Sequence, residues 1–419
     1  MRGWRKHERI WQISLGSRIE ARFPCDWKGV RISSQLKFSC GQLVFLPQIE
    51  KMIVGIPKEI KAQENRVSMI PSYVFDLVKR GHRVVVQSGA GEGSAYANSQ
   101  YVAAGADMVP DAKSVFEEAA MIVKVKEPQD SEIAMLNEKH TLFTYLHLAA
   151  SKPLTEKLVA TGCTAIAYET ISVNGHLPLL EPMSEIAGRM SSIVGSYHLA
   201  NHRGGRGILL GGVPGVVPGR AVVIGGGTAG VNAARVAAGI GADVTILEVD
   251  FERMRFLDIT MEGTHTLFSN EANLAELLPR VDLVIGAVLV PGAAAPKLIT
   301  REMLRQMQPG SVFVDIAVDQ GGCAETTRPT THDDPTFEEE GVLHYCVANM
   351  PGAYARTATQ ALNNVTHPWT AMIADQGLKM ACETRPTLRA GINCLGGKLT
   401  CEPVAKAHGL DNHDSGSLM

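Results

Sequence analysis

The sequence predicts an α/β protein, and three observations carry that expectation. A stretch at Arg220–Glu248 reads as strand, glycine loop, helix and second strand. Strand and helix patterns alternate from Met52 up to that stretch, and a largely helical segment, Ala358–Ala381, follows it and is placed to pack back on the first half. At 419 residues, 45% of them hydrophobic, the chain can bury more than one core and should divide into two or three domains. A net charge of −3 gives no reason to expect nucleic acid or a membrane surface as partner. The eight cysteines include no C-x-x-C pair and mostly sit in apolar contexts, which suits reduced thiols in a cytoplasm. The nearest pair, Cys394 and Cys401, has no third ligand that would make a metal site. The most apolar run, Leu283–Pro296, is broken by Gly286, Pro291 and Gly292, so it is too short to span a bilayer.

Residues 1–51 differ from everything after them. They hold ten Lys/Arg against four acids and three of the four tryptophans, without sustained periodicity. Arg2, Arg5, Lys6 and Arg9 resemble the basic start of a signal peptide, but Ile10–Gly16 is too short and polar for its apolar core. The segment reads as an extension, disordered or not native, and composition favours Met52 as the natural start.

From Met52 the pattern is orderly. Ile53–Ile56 is a strand, followed by Pro57-Lys58-Glu59 and a polar loop, Ala62–Arg66. Ser72–Arg80 reads as a helix closed by Gly81, Val84–Val86 as a strand, Gln87–Gly91 as a loop and Tyr101–Ala104 as a helix. Strands follow at Met121–Val125, Leu142–Tyr145 and Ala165–Ala167. Met183–Asn201 is one long helix, placed as a connector between domains, and Gly204–Gly219 is a Gly/Pro-rich loop. Beyond Glu248, Val281–Ala287 and Ser311–Ile316 continue as strands.

The central stretch has a specific chemical reading. Ala221–Ile224 is a short apolar run suited to a buried parallel strand. Gly225, Gly227 and Gly230 then spell G-x-G-x-x-G around Thr228 and Ala229. The first glycine permits a tight turn, the second lets backbone approach a pyrophosphate, and the third lets helix and strand pack closely. Ala233, Ala234, Val236, Ala237 and Ile240 recur at helical spacing, Gly241 closes the helix, and Val244–Leu247 forms the next strand. Glu248 ends that strand, where a carboxylate accepts hydrogen bonds from a ribose diol. The motif alone is weak in a chain with 41 glycines; strand before, helix after and acid beyond make it a dinucleotide site of the Rossmann type.

Several blocks carry a resemblance. VGIPKE (54–59), ENRV (64–67), GAGEGS (89–94), VKVKEP (123–128), LHLAAS (146–151), PMSEIAGR (182–189), DIAVDQGGC (315–323), RPTTHDDPTF (328–337) and VANMPG (347–352) resemble alanine dehydrogenase. The likeness spans nearly all of residues 52–408. It implies a soluble NAD-dependent enzyme interconverting L-alanine with pyruvate and ammonium, usually a homohexamer. It also implies two domains: a Rossmann dinucleotide-binding domain, residues 179–355, inserted in a discontinuous Rossmann-like substrate domain made of residues 52–178 and 356–419. The nucleotide-binding subunit of a proton-pumping transhydrogenase shares the fold and is the alternative; it has no need of a carbonyl acid such as His147.

The same resemblance assigns roles that the residue types can support. Arg66 offers a bidentate fork for a substrate carboxylate, although a loop arginine is by default a solvated one. Lys126 falls to the substrate, with Lys124 the rival, because alternate residues of a strand face the same way. His147 is the acid/base, against the default of a satisfied core histidine. Asp319 stands at the carboxyl end of a strand, by the nicotinamide and substrate, while Asp315, earlier in that strand, reads as structural. Ser184, which alone would read as a helix cap, is assigned to the cofactor. So are Arg253, Ser269, Val288, Leu289, Ile316, Ala317, Val318, Arg328, Val347, Ala348, Asn349 and Met350. Two departures stand out: the family often has aspartate at Glu248 and lysine at Arg253. Some members bind magnesium through a glutamate matching Glu169 and a histidine where this chain has Gln376; a neutral amide is a poor replacement, so no dedicated metal is expected.

Overall fold

A computed structural model describes residues 51–288 and 295–418, together with the backbone of 36–39 and 42–45. The chain forms two compact units, Met1–Ile49 and Glu50–Met419. In the first, β1 (Leu36–Ser39) pairs antiparallel with β2 (Gln42–Phe45); the expectation for residues 1–51 otherwise lies outside the described residues.

The second unit is built on two sheets. In the first, β3 (Ile53–Ile56), β4 (Arg83–Gln87), β5 (Asp107–Val109), β6 (Met121–Val123), β7 (Thr141–Thr144) and β8 (Thr164–Ala167) run parallel in the order β8-β7-β6-β3-β4-β5. The strand order therefore reverses between β3 and β6, and the crevice beyond their carboxyl ends is where such sheets bind ligands. The second sheet comprises β9 (Arg220–Ile224), β10 (Asp243–Glu248), β11 (Thr264–Phe268), β12 (Leu283–Gly286), β13 (Val312–Asp315), β14 (Thr336–Glu339) and β15 (Val342–Tyr345). Its order is β11-β10-β9-β12-β13-β15-β14, with only β14 antiparallel and the reversal between β9 and β12. β16 (Ile392–Leu395) and β17 (Lys398–Leu399) return to the first sheet and extend it antiparallel beside β8.

Both faces of β9 are covered, which is why its sequence is continuously apolar. Ala221 and Val223 enter one core, and Val222 and Ile224 the other. In β3, Val54 and Ile56 point into one core while Gly55 faces the helix Ala112–Glu118; a Cβ there would lie 2.7 Å from that of Ala119. The connector helix, Glu181–His198, lies so close to the helix Thr228–Gly239 that a Cβ on Gly188 would be 2.1 Å from the Ala229 oxygen. A 30-residue helix runs Ala355–Thr384 after the second sheet, and its backbone breaks at Gly377 (φ 71°, ψ 162°).

The strands and long helices expected from sequence are present within a few residues. The expected strand Met121–Val125 stops at Val123. β5, β11 and β14–β17 escaped the pattern because they lie at or next to sheet edges, where apolar runs are interrupted.

Candidate active site

At the carboxyl end of β9, Gly225 turns with φ +99°. A Cβ on Gly230 would stand 1.8 Å from the Gly225 oxygen, so the helix can start this close to its strand only with glycine there. Gly227, the residue before the helix, faces open space, leaving the amides that lead into Thr228 and Ala229 free to meet an anion. Glu248 grips the same loop: its Oε2 accepts the Gly226 N–H (2.8 Å), and its Oε1 accepts those of Val249 (2.7 Å) and Asp250 (3.1 Å). The Nε of Arg253 donates to the Gly226 oxygen (2.6 Å). Acid and base thus hold one glycine by its two backbone groups, which the sequence did not foretell.

Other cofactor candidates gather at neighbouring strand ends. The Ser269 N–H donates to the Glu248 oxygen (2.8 Å), fixing it at the end of β11. Val288 follows β12. Ile316, Ala317, Val318 and Asp319 form a 3₁₀ turn after β13, and Val347–Met350 follow β15. Arg328 lies farther out, its guanidinium 4.0 Å from the centre of the Phe337 ring on edge strand β14. Leu289 lies outside the described residues. Ser184 is not a cap: its helix begins at Glu181, and its own N–H already bonds to the Leu180 oxygen.

Charged side chains from the first sheet face this loop cluster. Arg66 is not a solvated loop residue: it is 2% exposed, and its Nε (2.7 Å) and Nη2 (2.6 Å) donate to the two oxygens of Glu64. Burial pushes the Glu64 carboxyl upward, but Arg66 and the Asn349 amide outweigh it and bring the pKa to about 2. Nη2 of Arg66 also donates to Asn349 Oδ1 (2.8 Å), so the strip after β15 reaches the loop after β3. Lys126 is buried, which lowers its pKa; the Asp319 carboxylate opposes that and the Arg66 charge adds to it.

Lys124 does not share the site of Lys126. Because β6 ends before either residue, strand alternation no longer applies, and the Lys124 ammonium turns to Glu59 (3.0 Å) and Glu132 (2.7 Å). Asp315 is committed elsewhere, accepting bonds from Ala317 N–H, Cys323 N–H and the Thr327 hydroxyl.

His147 occupies the left-handed region (φ 49°, ψ 36°), unusual for a residue with a Cβ. Its N–H donates to Glu169 Oε1 (2.6 Å), as does that of Leu146 (3.1 Å), and its ring stacks at 5.7 Å on Tyr145. Burial, then the charges of Lys126, Lys61 and Arg66, hold the imidazole pKa well below its usual value. The ring therefore rests neutral. Arg66, Lys126 and His147 come together at the ends of β3, β6 and β7, with exposed Asp319 facing Lys126 from the second sheet.

Glu64 and Lys61 are site residues that sequence reasoning did not single out, and Glu169, considered there only as a match to a magnesium ligand, instead holds the backbone at His147. Only Glu64 carried a signal, its place two residues before Arg66 in a polar loop. Both Glu169 oxygens are taken by backbone N–H groups, and Gln376 Oε1 accepts from the Thr384 hydroxyl. Among the described residues no group of three or more His, Cys, Asp or Glu is placed to hold a metal ion.

Comparison with known proteins places this geometry. The profile for the N-terminal domain of Alanine dehydrogenase/PNT matches residues 55–187, and that for its C-terminal domain matches 191–402. The chain belongs to the alanine dehydrogenase/PNT family. The alanine dehydrogenase of Mycolicibacterium smegmatis is 52% identical over 370 residues, covering 88% of this chain and 100% of that protein. That of Bacillus subtilis is 51% identical over 362 residues, covering 86% and 96%. A solved L-alanine dehydrogenase superposes with a TM-score of 0.82 at 49% identity, over 85% of this chain and 99% of its own. A transhydrogenase from Sinorhizobium meliloti gives 0.72 at 26% identity, over 83% and 100%. The weight of likeness lies with the alanine dehydrogenases over the transhydrogenase. Six cysteines among the described residues are free and buried, and no described helix is long and apolar enough to cross a membrane.

Proposed function

We propose that this chain catalyses the NAD-dependent oxidative deamination of L-alanine to pyruvate and ammonium, and the reverse reductive amination. It is an oxidoreductase of the alanine dehydrogenase kind, and one observation carries the mechanism: a buried arginine, lysine and neutral histidine converge on the crevice that Asp319 borders. The glycine cradle fits a dinucleotide, because a Cβ is excluded at Gly230 and open space lies beside Gly227. Gly225, Gly227, Thr228, Ala229 and Gly230 would hold the pyrophosphate, and Glu248 the ribose. Ser184, Arg253, Ser269, Val288, Leu289, Ile316–Asp319, Arg328 and Val347–Met350 would line the remainder. When bound, NAD supplies the hydride acceptor and NADH the donor.

The chain's own residues do the rest. Arg66, whose Nε and Nη2 are held by Glu64, would meet the substrate carboxylate through Nη1. Lys126, a desolvated ammonium, polarises the carbonyl so that ammonia can add. His147, neutral at rest, takes the hydroxyl proton when water adds during deamination and returns it to the oxygen of the carbinolamine in the other direction. Asp319 holds the water or ammonia. Residues 52–178 and 356–419 act as the substrate domain and 179–355 as the nucleotide domain of a cytoplasmic homohexamer. The test is NADH oxidation with pyruvate, with and without ammonium. Strict dependence on both supports the reading, and oxidation that ignores ammonium sinks it.

A further inference from the structure

Strand β6 stops at Val123, yet Lys126 must present its ammonium to the crevice three residues later. Between them the main chain leaves the regular ladder. The Lys124 N–H still reaches the Phe143 oxygen (3.1 Å), and the Val125 oxygen accepts the Tyr145 N–H (3.3 Å). The Val125 N–H goes instead to a side chain, Glu59 Oε1, at 2.6 Å. The Lys124 oxygen accepts from the Tyr168 hydroxyl (3.0 Å) and the Lys126 oxygen from the Thr144 hydroxyl (2.9 Å). The other oxygen of Glu59 takes the Lys124 ammonium, which also meets Glu132, and these three side chains are 3%, 0% and 1% exposed. Glu59 follows β3, so this carboxylate ties the ends of the two strands that flank the reversal of the sheet. A buried ionic cluster of this kind is a weak source of stability, because desolvation cancels most of the attraction. Its effect lies in what it holds still.

We propose that Glu59, Lys124 and Thr144 are positioning residues for the reaction: they pin the backbone of residues 124–126 off the ladder and so aim Lys126 at the substrate. The inference rests on Lys126 being the substrate's cation. Lys124 acts by fixing Glu59, not by touching substrate.

Steady-state reductive amination by the full chain tests this with Glu59→Ala, Glu59→Gln, Thr144→Val, Lys124→Met and Lys126→Met. Glu59→Ala should raise the KM for pyruvate about ten-fold or more while leaving that for NADH unchanged, since small misplacements of a binding group are costly. Glu59→Gln, whose amide oxygen can still accept the Val125 N–H while its NH2 cannot accept from the Lys124 ammonium, should recover part of the loss. Thr144→Val, nearly isosteric, should move the pyruvate KM in the same direction, and it carries the test with Glu59→Gln if Glu59→Ala does not fold. Lys124→Met should be milder than Lys126→Met. An unchanged pyruvate KM in folded Glu59→Ala and Thr144→Val, with Lys126→Met impaired, overturns the inference. Parallel rises in both KM values that track the thermal midpoint overturn it too, as general loosening. Should Lys126→Met itself leave the pyruvate KM unchanged, the assignment of the site has failed, and the inference with it.

Discussion

The two sheets offer their ligand-facing ends in opposite ways. Beyond β9 the surface is backbone: glycines, free amides and a helix start, with Glu248 and Arg253 also steadying the loop at Gly226. Beyond β3 and β6 it is side chain: buried Arg66 and Lys126 and half-buried His147, crowded together and each altered by the charges of its neighbours. A backbone cradle is built by leaving atoms out, and a side-chain cluster by forcing charges together. The first tolerates almost no added volume, and the second almost no lost charge.

The contrast can be sharpened by substitution. Largest should be His147→Gln, which removes the proton carrier and leaves the cradle untouched: turnover should fall about 10²–10⁴-fold with NADH binding preserved in a fluorescence titration. A folded variant working at the normal rate would break the comparison. Next is the cofactor, where Glu248 should set NADH over NADPH by about five-fold to nearly a thousand-fold, the span for like charges about 4 Å apart at effective dielectrics of about 80 to 20. Equal efficiencies with the two would show that the carboxylate serves only the Gly226 loop.

The pH response follows from charge crowding. A depressed imidazole pKa means that His147 stays neutral, and deamination active, as pH falls through the ordinary histidine range; the acid limb should lie below it and be absent in His147→Gln. A limb at ordinary imidazole values would contradict the crowding. For stability the sign is set by Glu64, whose folded pKa of about 2 lies below the reference 4.5. Its contribution, at most roughly 3 kcal/mol, is present above 4.5 and lost as pH falls toward 2. Glu64→Gln should therefore lower the urea midpoint at pH 7 and converge with the unchanged protein in strong acid. Smallest should be removal of residues 1–51, expected to leave assembly and activity intact; the family profile begins to match at residue 55. Loss of folding in that shortened chain would overturn the expectation.

Legibility divides along the same line. The cradle could be read because glycine spacing, a flanking apolar strand and Glu248 are local in sequence, and the structure puts them at the adjoining ends of β9 and β10. The side-chain cluster could not, because its members converge through the fold. Arg66 looks like a loop arginine until Glu64 and Asn349 are seen around it, and His147 like a core residue until its left-handed backbone and Glu169 are seen. Lys124 misled because strand alternation was carried past the end of β6. The family resemblance named Arg66, Lys126 and His147; their burial and mutual electrostatics came only from the fold.

The return of β16 to β8 has a consequence for how the molecule is made. β9 to β15 are contiguous in the chain, so their sheet can assemble as soon as they have left the ribosome. The earlier-made sheet cannot finish: β8 keeps one side unpaired until Ile392–Leu395 are synthesised far downstream. Throughout that interval it offers open amides and carbonyls to any neighbouring strand, the usual route to aggregation. A nascent chain interrupted after Thr384 would stay in that state, with the later-made half already folded beside an earlier half that cannot close.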